Sequence, residues 1–159
     1  MISSPLDIVR TMAGMGSLGN VLDLECLKLV SVEPMPQEML SEIEDLVVPR
    51  ACYNNSFFVT EFFGSRKKAR YCVGYAGSFV PISHAWVWVD GNYYDPTWQV
   101  HTKIGAFYVP FFELEGEELM EVVVANDFRP PEPWEVAFIG QKKNLFQGDR
   151  HAQIFGHTP

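Results

Sequence analysis

The pattern that constrains the fold most is a β-hairpin between residues 84 and 98. Two runs rich in aromatic and β-branched residues flank the dipeptide Asp90-Gly91. This dipeptide favours a two-residue turn, because both residues of such a turn need a positive φ and Asp-Gly accommodates it. In that register His84 and Asp95 project from the same face, on a cross-strand diagonal of about 7–8 Å. A three-residue loop would instead place them on opposite faces. The two-residue turn therefore predicts a hairpin in which His84 and Asp95 lie within hydrogen-bonding reach.

A second pattern predicts a helix that begins near Cys52 and ends at Gly64. Its apolar residues recur at i, i+4 spacing and predict one wide buried face: Phe58 with Phe62, and Val59 with Phe63. A helix N-terminus lowers the pKa of a thiol beside it, because the macrodipole places positive charge there. Cys52 is therefore a candidate nucleophile, and its backbone N–H is a candidate donor to an oxyanion.

The remaining patterns predict an α+β fold in which N-terminal helices pack on an antiparallel β-sheet. Before residue 52 we expect a helix capped by Ser4 with Met12 facing inward, a strand over Cys26–Val32, and a helix from Pro36 to Pro49 with Leu46 inward. After residue 64 we expect short strands at 71–98, 106–112 and 121–125, and a proline-rich break before Trp134–Ile139. We assign residues 1–159 to one domain.

Cys52, His84 and Asp95 supply the three parts of a cysteine catalytic triad, in that order along the chain. The cysteine is the nucleophile, the imidazole pairs with its thiolate, and the carboxylate fixes the tautomer of the imidazole. Candidates for a second oxyanion donor are Asn54, Asn55 and Gln37. Trp86 shares the predicted face of His84, as a core residue or as the wall of a substrate cleft.

The motifs resemble those of the transglutaminase-like, papain-related superfamily of cysteine enzymes, especially its small phage-type and bacterial members. The matching blocks cover about residues 45–100: Cys52-Tyr53-Asn54-Asn55, Tyr71-Cys72-Val73-Gly74-Tyr75, His84-Ala85-Trp86 and Asp95-Pro96-Thr97. The resemblance implies Cys52 as nucleophile, His84 as general base and acid, and Asp95 as the orienting residue. It leaves the substrate open, because this fold serves peptidases, amidases, deamidases and cross-linking enzymes.

Composition narrows the classes of partner and the compartment. The formal net charge of −8 argues against nucleic acid, whose binding depends largely on Lys and Arg. Apolar stretches fall short of the roughly 20 residues that span a bilayer, and the N-terminus lacks a signal-peptide pattern. Three cysteines favour a reducing cytoplasm. Zinc bound by Cys52, Cys72 and His84 is disfavoured because no paired ligand spacing supports it, so we predict no metal and no cofactor.

The sequence thus predicts an intracellular cysteine hydrolase that attacks an amide or isopeptide bond of a protein or peptide and forms a thioester through Cys52. Acyl transfer to an amine, as in transglutaminases, and side-chain deamidation are alternatives within the same chemistry. A binding protein without turnover, such as a phage-type inhibitor acting in the host cytoplasm, is the alternative from another class. The oligomeric state stays open.

Overall fold

The structure, a computed structural model, describes residues 3–146 and 153–154 of the chain. Within these residues the α-helices are α1 (Pro5–Gly14), α2 (Gln37–Leu40), α3 (Cys52–Gly64), α4 (Pro96–His101), α5 (Gly116–Ala125) and α6 (Pro133–Lys142). The strands are β1 (Val32–Glu33), β2 (Ala69–Gly77), β3 (Ile82–Val89), β4 (Asn92–Tyr94), β5 (Phe107–Leu114) and β6 (Gln153–Ile154). The predicted α+β class is confirmed.

The strands form one mixed sheet in the order β1-β4-β3-β2-β5-β6. Its central pairs are antiparallel, but β1 pairs with β4 in parallel, so the prediction of an antiparallel sheet is wrong at this edge. Val30 bridges Tyr108 of β5, and two residues later Val32 pairs with Tyr93 of β4. Strands β3 and β2 lie between β4 and β5, so the sheet curls enough for one short segment to reach both. The segment 30–33 crosses one face of the sheet and joins β4 to β5.

The two faces of the sheet have separate cores. On one face, α3 packs its Val59 and Phe63 against Val87 of β3, and α1, α5 and α6 extend this cover over β5. On the other face, Trp86 and Tyr108 belong to a smaller buried cluster that the segment 30–33 covers. Side chains alternate along a strand, so His84 lies on the same face as Trp86.

The helix predicted at Cys52–Gly64 is confirmed as α3. Its buried face is narrower than predicted, because Val59 and Phe63 are fully buried whereas Phe58 is 40% exposed. Phe58 instead stacks on Phe62 at the edge of the helix, with ring centroids 6.0 Å apart. The helix therefore packs only part of its apolar surface against the sheet and leaves Phe58 partly exposed to solvent.

The strand predicted at 121–125 is wrong, because this segment is the end of α5, and the segment 134–139 lies in the helix α6. The run Val122-Val123-Val124 has strand-like composition, but Leu119, Val122 and Val123 fall at helical spacing and all three are buried. Pro133 opens α6 at its first position, where a missing N–H costs nothing. Tertiary burial on the helix-covered face therefore outweighs the local preference of the valines.

The N-terminal predictions are confirmed at the first cap and shortened elsewhere. Ser4 caps α1 and forms a capping box with Asp7, but Met12 is exposed, contrary to its predicted inward position. The strand predicted at 26–32 is shortened, because Cys26 ends a 3₁₀ turn and only Val30, in a single bridge, and Val32, at the start of β1, pair with other strands. The second helix ends at Leu40, and Leu46 is exposed in a short 3₁₀ turn.

A β-bulge in β5 decides which of its side chains face His84. The register of β5 against β2 shifts by one residue between Val73 and Gly74, which leaves Phe111 as the extra residue of β5. One inserted residue moves every later side chain to the opposite face. The bulge thereby places Tyr108 in the cluster on the His84 side of the sheet.

Gly74 makes room for this bulge. A Cβ atom at position 74 would clash with the carbonyl oxygen of Val109 and lie 2.9 Å from the Cα atom of Pro110. Pro110 lies across from Gly74, and a bulge is one of the few places in a sheet that accept a residue without N–H. The two residues together allow the backbones of β2 and β5 to approach closely at this point.

We expect Gly74→Ala to lower the free energy of unfolding by about 1–3 kcal/mol, because the new methyl group meets backbone that cannot rotate away. Gly64→Ala is the matched control, since no atom lies within 4 Å of its added Cβ; a helical alanine should be neutral or stabilise by up to about 1 kcal/mol. Urea denaturation of both variants measures the difference. Equal stability of the two variants would show that the bulge tolerates a side chain.

Candidate active site

Cys52 is the first residue of α3, as predicted. Its thiol is free and half-buried. The N-cap residue Ala51 offers no side-chain acceptor, so the N–H groups of the first turn, including that of Cys52, have no partner within the helix. Arg50 has a φ of 62°, a conformation uncommon outside glycine that tends to occur at functional sites. The thiol thus lies beside unpaired backbone donors at the positive end of the helix.

The loop before Cys52 is fixed by side chains of α3 and α4. The amide nitrogen of Asn55 donates to the Val48 carbonyl at 2.7 Å and to Thr97 Oγ1 at 3.0 Å, and its oxygen accepts the Val48 N–H at 3.0 Å. His101 Nε2 donates to the Val47 carbonyl at 2.7 Å. This corrects the prediction of Asn55 as an oxyanion donor, because both protons of its amide are already engaged.

The hairpin after His84 has the predicted turn and register. Asp90 and Gly91 have φ angles of 48° and 104°, and Val89 pairs with Asn92. Pairing between the two strands ends at Tyr94, however, and α4 begins two residues later. The predicted extension of the second strand to residue 98 is therefore wrong.

Asp95 reaches His84 from a helix cap and not from a strand. Its Oδ1 accepts the N–H of Trp98 at 3.1 Å, which caps α4, and its Oδ2 lies 2.8 Å from His84 Nε2. The exposed fraction of His84 is 2% and that of Asp95 is 0%. The predicted hydrogen bond between these residues is confirmed, although capping of α4 sets the position of the carboxylate.

Two aromatic residues that the sequence reasoning missed complete the surroundings of His84. Tyr108 donates its hydroxyl to Asp95 Oδ2 at 2.8 Å. The indole of Trp98 stacks on the His84 ring, with centroids 3.9 Å apart and an interplanar angle of 17°. The helix-start signal Asp95-Pro96 would have placed Trp98 on the first turn of α4. Tyr108 has no local signal, because only the bulge in β5 turns it to this face.

The protonated form of His84 is favoured by its neighbours. Burial alone would lower the pKa of His84, but the hydrogen bonds with Asp95 and Cys52, and the charges of both groups, raise it to about 9. Asp95 occupies Nε2, which leaves Nδ1 as the ring nitrogen available to Cys52. An imidazolium in this position can donate to a carboxylate on one side and to a thiolate on the other.

The other predicted site residues do not line an open cleft around His84. Trp86 is fully buried and packs edge-on against Tyr108 with ring centroids 5.2 Å apart, so it is a core residue and not the wall of an open cleft. Asn54, in the first turn of α3, and Gln37, at the start of α2, are both exposed. Their proposed contact with an oxyanion stays a prediction.

Cys72 lies within the core behind the site. Its side chain is fully buried, and burial raises the pKa of its thiol well above the ordinary value. Among residues 3–146 and 153–154, no group of three His, Cys, Asp or Glu side chains is arranged to hold a metal ion. The structure thus places Cys72 in a packing role.

Comparisons of the chain with protein-family models, with curated proteins and with solved structures give no match. In the described part of the chain, no helix has the length and apolar character needed to cross a membrane. Any assignment of function therefore rests on the motifs and on the geometry around His84.

A hydrogen bond between α3 and β3 joins the two residues adjacent to Cys52 and His84. Tyr53 follows Cys52, Ser83 precedes His84, and the Tyr53 and Ser83 hydroxyl oxygens lie 2.8 Å apart. Because each residue is covalently next to a site residue, this hydrogen bond restrains the spacing between the thiol and the imidazole.

We expect NMR titration of the His84 ring to give a pKa of about 9. Asp95→Asn should lower the pKa of His84 toward its ordinary value of about 6.5 or below, because the amide removes the charge while burial remains. The folded-state pKa lies above the unfolded one, so this stabilisation is complete below about pH 6.5 and is lost as pH rises through about 9. The free energy of unfolding should fall over that interval in the wild type and less in Asp95→Asn. A wild-type ring that titrates near 6.5 would contradict this.

We expect Tyr53→Phe and Ser83→Ala each to slow iodoacetamide alkylation of Cys52 at neutral pH by about 2- to 10-fold, the equivalent of one hydrogen bond. The double variant should be no slower than the single ones, because both changes remove the same interaction. Peptide mass spectrometry locates the adduct. Ser65→Ala, at the other end of α3, is the control and should leave the rate unchanged. Additive losses in the double variant would show that the two hydroxyls act separately.

Proposed function

We propose that this chain is a cysteine acyl-transfer enzyme with Cys52 as nucleophile, His84 as general base and acid, and Asp95 as the orienting carboxylate. The observation that carries the proposal is the buried 2.8 Å contact between His84 and Asp95, beside a thiol that also helps to raise the pKa of His84. Nucleophilic catalysis by cysteine uses a base beside the thiol and a third group that orients this base. The motif resemblance to the transglutaminase-like superfamily, and a helix packed on the sheet with Cys52 at its start, support the same assignment.

Acylation begins with the thiol proton on His84. The Cys52 thiolate attacks the carbonyl carbon of an amide, and the electron pair of the C=O bond moves to oxygen. The backbone N–H of Cys52 donates to this oxyanion. When the tetrahedral intermediate collapses, the C–N bond breaks and the His84 imidazolium gives its proton to the leaving amine. The products are a free amine, a thioester on Cys52 and a neutral imidazole.

Deacylation uses the neutral imidazole as a base. His84 takes a proton from a water molecule as that water attacks the thioester carbonyl. Collapse of the second intermediate breaks the C–S bond, releases the acid and restores the thiolate beside protonated His84. Asp95 accepts a hydrogen bond from Nε2 of His84 and so keeps Nδ1 directed toward Cys52, while Trp98 covers the ring.

We propose an amide or isopeptide bond of a protein or peptide as substrate, with water as acyl acceptor. The same thioester would give transglutamination if an amine reaches it first, and deamidation if the leaving group is ammonia from a side-chain carboxamide. The free thiols of Cys26, Cys52 and Cys72 favour a reducing, cytoplasmic location. A net charge of −8 gives no support to a nucleic-acid substrate.

The usual pKa of a cysteine thiol is about 8.5. If Cys52 is an activated nucleophile, we expect iodoacetamide to alkylate it well below that pH. Cys26 is the internal control, because its hydrogen bond with Asp23 raises the pKa of its thiol, so it should react only in alkaline solution. Mass spectrometry of the digested protein follows both sites at each pH. If Cys52 and Cys26 share one pH profile, Cys52 is not an activated nucleophile.

Cys52→Ser should keep the melting temperature and abolish turnover, because a serine hydroxyl stays protonated at neutral pH. Turnover is measured on dimethylcasein as new peptide termini, released ammonia and incorporated dansylcadaverine, which separates hydrolysis, deamidation and amine transfer. If Cys52 only fills the core, the buried hydroxyl should cost about 1–3 kcal/mol of stability. If the Cys52→Ser protein keeps the full effect of the wild type on the cell that produces it, the alternative of a binding protein without turnover is favoured instead.

A further inference from the structure

We propose that Tyr108 is a positioning residue that shares the Asp95 carboxylate with His84 and so keeps His84 able to release its proton to the leaving amine. This inference rests on the proposed function. It begins from one contact, in which Tyr108 Oη and His84 Nε2 each lie 2.8 Å from the same oxygen, Asp95 Oδ2.

The direction of the hydrogen bond from Tyr108 follows from its other partner. The N–H of Gly105 donates to the Tyr108 hydroxyl oxygen at 2.8 Å, so the oxygen already acts as an acceptor. The hydroxyl hydrogen therefore points at Asp95, which as a carboxylate can only accept. Tyr108 is buried and packs against Trp86, which holds the phenol in this orientation.

Two donors on one carboxylate oxygen divide its negative charge between them. A hydrogen bond to an ionised carboxylate is strong in a buried setting. The hydrogen bond from Tyr108 therefore reduces the stabilisation that Asp95 gives to the protonated ring of His84. A general acid works best when its pKa stays near the operating pH. Without Tyr108, the same buried carboxylate would stabilise the imidazolium more and make proton transfer to an amine less favourable.

The titratable neighbours of His84 come from three elements. Cys52 faces it from the start of α3, and Asp95 faces it from the cap of α4. Tyr108 of β5 acts through Asp95. From β2, the residue opposite His84 is Gly74, which carries no side chain. The rings of Tyr108 and His84 also lie near each other, with centroids 6.5 Å apart, but among the described residues the only polar connection between the two runs through the Asp95 carboxylate. Tyr108→Phe keeps the ring and removes only the hydroxyl, so it tests this polar connection.

The test uses Tyr108→Phe with Tyr93→Phe as a matched control. Tyr93 also donates its hydroxyl to a buried carboxylate, that of Glu113, at a position remote from His84 along the same sheet face. NMR titration of the His84 ring should show the pKa of His84 raised by about 0.5–1 unit in Tyr108→Phe and unchanged in Tyr93→Phe. Iodoacetamide alkylation of Cys52 should extend to lower pH by a similar shift, because a more basic imidazole stabilises the thiolate.

A second variant keeps the test independent of folding defects. Replacing Tyr108 by 3-fluorotyrosine strengthens the donor without removing it, so the pKa of His84 should move down instead of up. Opposite shifts in the two variants support the inference. Unchanged titration of His84 in both variants, or equal shifts in Tyr93→Phe, overturns it. If wild-type Cys52 shows no thiolate at neutral pH, the proposed function fails, which is a different result from a silent Tyr108.

Discussion

The Asp95 carboxylate is the group on which the candidate site depends, because it is completely buried and a buried charge is costly unless hydrogen bonds satisfy it. Its donors come from three separate parts of the fold: the Trp98 N–H, the His84 ring and the Tyr108 hydroxyl. Each donor fixes one element relative to the carboxylate. Helix α4, strand β3 and strand β5 are thereby joined at one point, and the orientation of His84 follows from it.

The geometry of the sheet makes this convergence possible. The bulge at Phe111 shifts the alternation of side chains along β5, so that Val109 before it and Phe112 after it both pack in the core under the helices. Tyr108 belongs to the small cluster with Trp86, whereas Val109 packs under the helices. Gly74 allows the bulge because any Cβ there would meet the backbone of β5. A polar site can therefore form at one end of a closed apolar cluster while the main core stays on the other face.

The nucleophile candidate is held in a different way from its partners. Cys52 begins a long helix on the opposite face of the sheet, and its loop is tied down by Asn55 and His101. The contact between Tyr53 and Ser83 then joins this helix to the strand of His84. The thiol and the imidazole thus approach from two faces, and the thiol stays only half-buried while Asp95 is sealed away. Such a division suits chemistry in which substrate reaches the sulfur but water does not reach the carboxylate.

Those parts of the site that follow local rules could be predicted from the sequence. The Asp90-Gly91 turn set the hairpin register, the i, i+4 pattern located α3, and the order of Cys52, His84 and Asp95 indicated the three groups. Tertiary structure alone decided the rest. The valines of α5 have strand propensity, yet burial against the sheet made them helical. Asn55 holds a loop because the backbone of Val48 folds onto it. Tyr108 contacts Asp95 because one extra residue in β5 turns its side chain to the opposite face of the sheet. These outcomes depend on contacts between distant segments, and a local pattern carries no information about such contacts until the chain is packed.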